Sequence, residues 1–250
     1  MSGTFWDGLW RESLKAPSRG PHESTWANEI DRRKMRFLSR YLPADGAVCE
    51  VGCGSARLLA RVGLTSQALT LVAIDQSSVA LELAKATAAA FHVAIRTIQG
   101  TAVSLPLQNA AVDIVLSGGL LEHFPEPEPV LAEMVRVLRP GGVIYADVVP
   151  RKISWYRAHE AGRMRTSEYM EDGVYESALG PSDYEHRLRS LGCKVIDSCW
   201  CGVYPWRLQY RRVGPLVARA SEILDGTPIA ARWGWYFMLV ATKQRPPRDP

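Results

Sequence analysis

The 250-residue chain is 47% hydrophobic and 22% charged, with a formal charge of +4. That balance excludes a disordered tail, which lacks the apolar surface to offset chain entropy, and a low-complexity or collagen-like fibre. No run approaches the roughly 18 apolar residues of a membrane-spanning helix, and so mild a basicity does not demand a nucleic-acid partner.

The first residues, MSGTFWDGLWRES, lack the basic stretch and apolar core of a secretory signal. Residues 25–42 place Ile30, Phe37, Leu38, Tyr41 and Leu42 on one helical face, and Pro43 stops that helix. Residues 1–44 are therefore expected to form an N-terminal helical cap over one edge of the fold. From residue 47 short apolar runs alternate with helical patterns. Strands are predicted at 47–51, 69–75, 93–98, 111–117 and 143–149, with helices at 55–63, 78–91 and 130–138 between them; Ser77 is placed to cap the second helix. Arg139-Pro140-Gly141-Gly142 reads as a sharp stop and turn. A helix at 181–192 and strands at 193–200 and 235–243 follow. Strands joined through helices need crossover connections, which build a mainly parallel sheet covered on both faces. The expected fold is α/β, doubly wound, with a seven-stranded Rossmann-like sheet. One domain spans 45–243, with insertions at about 151–180 and 202–232 and a disordered tail at 244–250.

Five cysteines without a C-x-x-C pair predict neither a disulfide framework nor a zinc site. Reduced thiols in a cytoplasmic protein are expected. The histidines at 22, 92, 123, 159 and 186 are scattered, so no metal is expected.

The most informative stretch is Glu50-Val51-Gly52-Cys53-Gly54-Ser55-Ala56, a strand running through glycines into a helix. Glycine tolerates positive φ and lets a ligand approach the backbone closely. In open α/β sheets such turns lie at the carboxyl ends of the strands, where ligands bind. Asp75 ends the next strand 21 residues after Gly54 and can accept both hydroxyls of a ribose. Gly100-Thr101-Ala102 follows the third strand. The fourth ends in Ser117-Gly118-Gly119 and leads into Leu120-Leu121-Glu122-His123-Phe124.

In this order and spacing the chain resembles the class I S-adenosylmethionine (SAM)-dependent methyltransferases of small-molecule type. The resemblance covers residues 45–150 well and the last two strands more loosely. It implies that Glu50, Gly52, Cys53, Gly54, Asp75, Gln76, Thr101, Ala102, Ser117 and Gly118 hold SAM, which leaves as S-adenosylhomocysteine. Leu138-Arg139-Pro140-Gly141-Gly142 matches a later motif. The chain departs from the pattern twice: Ala56 replaces the third glycine, and Thr101 stands where an aspartate is usual beside adenine.

SAM carries an activated methyl group, so the protein mainly positions the reactants and excludes water. A hydroxyl or phenol acceptor also needs a base. His123 is the first candidate and His159 the second, with Asp147 and Tyr156 behind them. Aromatic residues of the appendages, Trp6, Trp10, Trp155, Tyr156 and Trp206, are expected to line the acceptor site.

The expected activity is O- or N-methylation of a small organic molecule by a monomer or homodimer, without a stable nucleic-acid partner. Two rival readings are an RNA methyltransferase and a SAM-binding protein without catalysis. The Asn/Asp-Pro-Pro-aromatic tetrad of DNA amino-methylating enzymes is missing after the fourth strand, where Ser117-Gly118-Gly119-Leu120 stands. The basic cluster Arg207, Arg211, Arg212 and Arg219 reads as a solvated helix face. Opposite it lie Leu208, Leu216, Val217, Ile223 and Leu224. Pro215 interrupts this helix, so its apolar side is expected to pack on the sheet rather than on a membrane.

Overall fold

A computed structural model describes residues 3–16, 20–169, 173–205, 207–208 and 211–245. Two helices come first, α1 (Gly3–Lys15) and α2 (Trp26–Leu38), the latter capped by the Thr25 side chain on the Asn28 N–H. The sheet then builds through β1 (Gly46–Val51), α3 (Arg57–Gly63), β2 (Leu69–Asp75), α4 (Ser78–Phe91), β3 (Ile95–Gln99), β4 (Val112–Gly118), α5 (Glu128–Val137) and β5 (Leu138–Val148). A short α6 (Ala161–Met164) and α7 (Pro181–Ser190) lead to β6 (Cys193–Cys201). The helices α8 (Gly214–Ala220) and α9 (Pro228–Trp233) precede the final strand, β7 (Tyr236–Lys243).

The strand order is β3-β2-β1-β4-β5-β7-β6. β1 to β5 run parallel, and β7 is antiparallel to both its neighbours. The order reverses between β1 and β4, which opens a crevice at their carboxyl ends. Side chains alternate between two apolar layers. Val48, Leu71, Ala73, Ile114, Leu116, Tyr145 and Met238 face α2, α3 and α8; Cys49, Val72, Ile74, Val115, Ile144 and Leu239 face α5 and α7. Parity then dictates what stands at the crevice. Glu50 follows Val48 onto the α2 face, Asp75 follows Ala73, and Asp147 follows Tyr145.

α2 is bound into this architecture rather than perched on it. Its Ile30, Phe37 and Leu38 are buried in the first layer. Its polar side is fastened to α3: Arg57 Nε donates to Asp31 Oδ2 at 2.8 Å, and Arg57 and Arg61 both donate to Asn28 Oδ1 at 2.8 and 2.7 Å. α1 crosses the carboxyl edge, where the Ser77 hydroxyl, already accepting from the Ala80 N–H at the start of α4, donates to Asp7.

Several local expectations are corrected. The third strand starts at Ile95, because the chain leaves α4 through His92 at φ +54 and Val93 still bonds back to Ala88. The Arg139–Gly142 stop is part of β5, which begins at Leu138. A register shift between Val112 and Ile114 accommodates the extra residues, Gly141 lies at φ +84, and Arg139 pairs with Asp113. The helix expected across 207–224 is confined to α8 and a 3-10 turn at Ser221–Leu224, since Pro215 fits only a first turn. α1 and α9 were not foreseen; α9 is capped by the Thr227 side chain on the Ala230 N–H. Of the tail, Gln244 bonds to the Gly192 carbonyl at 3.0 Å, and residues 246–250 lie outside the described residues.

Candidate active site

The turn after β1 needs three backbone exceptions at alternate positions. Gly52 and Gly54 sit at φ +63 and +49, and Ala56, the cap of α3, sits at φ +51. A side chain on the glycines has no room: a Cβ on Gly52 would lie 2.6 Å from Leu120 Cδ1, and one on Gly54 2.8 Å from the Trp10 ring. Ala56 occupies the left-handed region without glycine's freedom, at a cost of about 1 kcal/mol. Its methyl group is fully buried in the first apolar layer, which offsets that cost.

Asp75 closes the turn from β2. Its Oδ2 accepts from the Gly54 N–H and its Oδ1 from the Ser77 N–H, both at 2.9 Å. Burial raises its pKa above the usual carboxylate range, and the nearby Asp7 adds to that, against the effect of the backbone hydrogen bonds.

A cavity of about 260 Å³ opens beside Asp75, lined by Gln76, Gly100, Thr101, Ala102, Val103, Leu120, His123, Phe124, Trp6 and Trp10. A second, of about 180 Å³, lies on the other side of the glycine turn, lined by Lys34, Glu50, Cys53, Gly54, Arg57, Gly118 and Asp147. They share Trp6, Trp10, Gly52 and Gly119, so the two form one cleft with the α1 tryptophans across its middle.

The second cavity is strongly polar. Lys34 Nζ donates to Asp147 Oδ1 at 2.6 Å, with Glu50 beside them. Burial alone would lower the Lys34 pKa, but Asp147, Asp31 and Glu50 together hold it above the ordinary lysine value. The Glu50 carboxyl is pushed up to about 8, chiefly by burial, with Asp147 and Asp31 adding and Lys34 opposing. Glu50 Oε2 and Asp147 Oδ2 are buried without a hydrogen-bond partner. Unpartnered buried carboxylate oxygens are costly, and here they line a cavity wide enough for a cationic group.

At the far wall of the first cavity the His123 ring meets Trp6 edge-on at 4.9 Å between centroids, and its Nδ1 lies 2.9 Å from the Tyr175 carbonyl oxygen. The segment carrying that carbonyl is anchored just after it. The Ser177 N–H donates to the Glu122 carbonyl at 2.7 Å, and Glu176 is held by Arg157 in a buried two-point ion pair, Nη2 to Oε1 at 2.7 Å.

Among the sequence-predicted residues, Glu50, Gly52, Cys53, Gly54, Asp75, Gln76, Thr101, Ala102, Gly118, His123, Trp6 and Trp10 meet at this cleft. Ser117 is buried behind it. Three others are elsewhere. His159 lies 3.2 Å from Glu160 in a separate turn. Trp155 is half exposed, with its backbone N–H on the Trp233 carbonyl. Tyr156 stacks on Trp235 at 4.6 Å, within a cluster that includes Trp26 and Tyr204. Aromatic character alone does not distinguish a core stack from a cleft wall. Trp206 lies outside the described residues. The sequence reading missed Lys34 altogether. The signal was present: Lys34 falls four residues after Ile30 and four before Leu38, a charge on the buried stripe of an amphipathic helix.

A parallel sheet with one reversed strand before its edge, a glycine turn at the switch point and a carboxylate closing the second strand define the class I SAM-dependent methyltransferase architecture. Residues 49–146 match the family model of a methyltransferase domain. That match and this fold both support a class I SAM-dependent methyltransferase. It is similar to the ubiquinone biosynthesis O-methyltransferase of Xylella fastidiosa strain 9a5c, at 24% identity over 182 residues, 71% of this chain and 73% of that one. Among solved structures it resembles the [4+2]-cyclase SpnF, with TM-score 0.63 and 20% identity over 89% of this chain and 83% of that one. It also resembles a SAM-dependent methyltransferase of Thermotoga maritima, with TM-score 0.60 and 18% identity over 88% and 91%. These two likenesses concern the fold.

Proposed function

We propose that the chain methylates a hydroxyl oxygen on a small aromatic molecule, with His123 as the base. The observation that carries this reading is the hydrogen bond from His123 Nδ1 to the Tyr175 carbonyl. A carbonyl only accepts, so the proton resides on Nδ1 and the Nε2 lone pair is left free. The two residues after Tyr175 are anchored, Glu176 by Arg157 and Ser177 through its N–H on the Glu122 carbonyl, which holds the Tyr175 carbonyl in place against the ring. Trp6 and Phe124 beside the ring suit a flat apolar acceptor. The Xylella relative's printed name, an O-methyltransferase, supports transfer to oxygen.

The residues present fit SAM. The Gly100–Val103 wall suits its adenine and Asp75 its ribose hydroxyls. The unpartnered oxygens of Glu50 and Asp147 suit the ammonium of its methionine end, and Lys34 suits the carboxylate. When bound, SAM supplies the activated methyl group and leaves as S-adenosylhomocysteine. The protein's part is to hold the acceptor oxygen in line, take its proton on His123 Nε2, and keep water out with Trp6 and Trp10 of α1. General-base assistance of this kind contributes about 10²–10⁴-fold. His123→Ala is therefore expected to slow turnover of a phenolic acceptor by about a hundredfold or more, with donor affinity unchanged. Single-turnover transfer of labelled methyl from SAM checks it. Equal rates in the two proteins remove the base assignment, and wild-type protein that binds SAM but labels no acceptor in a metabolite extract favours a binding protein without catalysis.

A further inference from the structure

The expectation that the 207–224 segment buries its apolar side is only half met. α8 does lie against α2: Ala218 is buried, and its carbonyl and the Ser221 hydroxyl both accept from Arg33, the latter at 2.7 Å. Away from α2 stand Leu216 and Arg219 on α8, with Arg212 just before the helix and Ile223 in the 3-10 turn after it. Leu216 is 69% and Ile223 85% exposed, and Val213 and Ile229 beside them are about half exposed. Large aliphatic side chains gathered at such exposure mark an interaction surface. Its charge is one-sided. The acidic residues of the same segment, Glu222 and Asp225, turn inward to Arg33 and Arg36 on α2. Arg211, Arg212, Arg219 and Arg232 remain exposed beside the aliphatics.

Topology fixes the edge of the sheet from which this segment departs. β6 is antiparallel to β7, as β5 is, so β5 and β6 run the same way. The end of β6 at Cys201 therefore emerges on the same edge of the sheet as Gly52 and Gly118. The whole excursion from 202 to 235 leaves and returns on the side where the cleft opens.

We propose that this surface docks the protein on an anionic lipid bilayer. Branched aliphatics interleaved with arginines suit the boundary of headgroups and acyl chains, where the first are buried and the second meet phosphates. A polyanion such as RNA would use the arginines and leave Leu216 and Ile223 in water. No helix among the described residues is long and apolar enough to cross a membrane, so the contact is peripheral. With the cleft on the docked edge, an acceptor dissolved in the bilayer reaches His123 without crossing open solvent. Docking itself does not depend on the identity of the acceptor.

Flotation of the full chain with vesicles of equimolar phosphatidylglycerol and phosphatidylcholine, against phosphatidylcholine alone, tests the proposal. Flotation with the anionic vesicles and little with the neutral ones is expected. Leu216→Asp/Ile223→Asp should reduce it about tenfold or more while leaving the melting transition and the heat of S-adenosylhomocysteine binding unchanged. Arg212→Glu/Arg219→Glu should do the same. Equal recovery with both vesicles, or none with either, overturns the proposal. So does loss confined to the arginine variant, particularly if wild-type protein shifts RNA at the same salt concentration.

Discussion

The two ends of the cleft are built differently. The end beside Asp75 is local: a glycine turn, one carboxylate and the Gly100–Val103 loop come from three successive strand ends, and most of the contacts on offer are backbone. The end beside Glu50 is assembled from a distance. Lys34 arrives from a helix before the sheet, Glu50 from β1 and Asp147 from β5, 97 positions further on. The first offers a shape and can be read as a motif. The second offers charge and depends on the tertiary arrangement that brings its members together.

Removing Lys34 is the most direct way to break that contrast. Its partner Asp147 is 2% exposed, and stripping one member from a buried pair costs about 3–5 kcal/mol. Lys34→Ala is expected to lower unfolding stability by roughly 3 kcal/mol in a denaturant titration. A change below about 1 kcal/mol, the range of exposed pairs, means the pair is effectively solvated. Asp75→Ala acts on the local end instead. It leaves ribose hydroxyls and two backbone N–H groups unpaired, and should weaken donor binding by roughly 1–3 kcal/mol in calorimetry, with a smaller loss of stability.

Glu50 separates the two ends by pH. Its folded pKa, about 8, lies above the ordinary carboxylate value of 4.5. In the free protein its contribution to stability is therefore complete below pH 4.5 and is lost as the pH rises through about 8. A bound ammonium group favours the carboxylate, so donor binding near pH 7 should release a proton and tighten by up to about tenfold per pH unit. Calorimetry in buffers of different ionisation enthalpy measures the proton, and Glu50→Gln should abolish it. The smallest effect is expected at Ala56, where relief of the left-handed backbone, about 1 kcal/mol, opposes loss of a buried methyl group, about 0.8 kcal/mol. Ala56→Gly should leave the melting temperature nearly unchanged. Gly54→Ala, which drives a methyl group into Trp10, should not.

What the sequence disclosed follows the same division. The short apolar run of β2 and the capping by Ser77 act within a few residues, and each was legible. The doubly wound, mainly parallel sheet followed from crossover rules. Lys34 escaped notice because its meaning depends on Glu50 and Asp147 sharing the α2 face, a consequence of parity in strands that pair only in the folded sheet. Tyr156 and Trp155 were assigned to the cleft from composition, yet Tyr156 completes a stack with Trp26 and Trp235 whose members lie more than 200 positions apart at their extremes. The exposure of Leu216 and Ile223 was likewise invisible, since helical spacing identifies a face but not what that face meets.

On the proposed reading, one cleft, split by Trp6 and Trp10, holds the nucleoside of the donor at one end and its amino acid at the other. Crystals grown with S-adenosylhomocysteine test it most directly. Density running from the Asp75 carboxylate past Gly52 to Glu50 and Lys34 is expected. Density confined to one cavity, or a ligand bound away from the glycine turn, contradicts it.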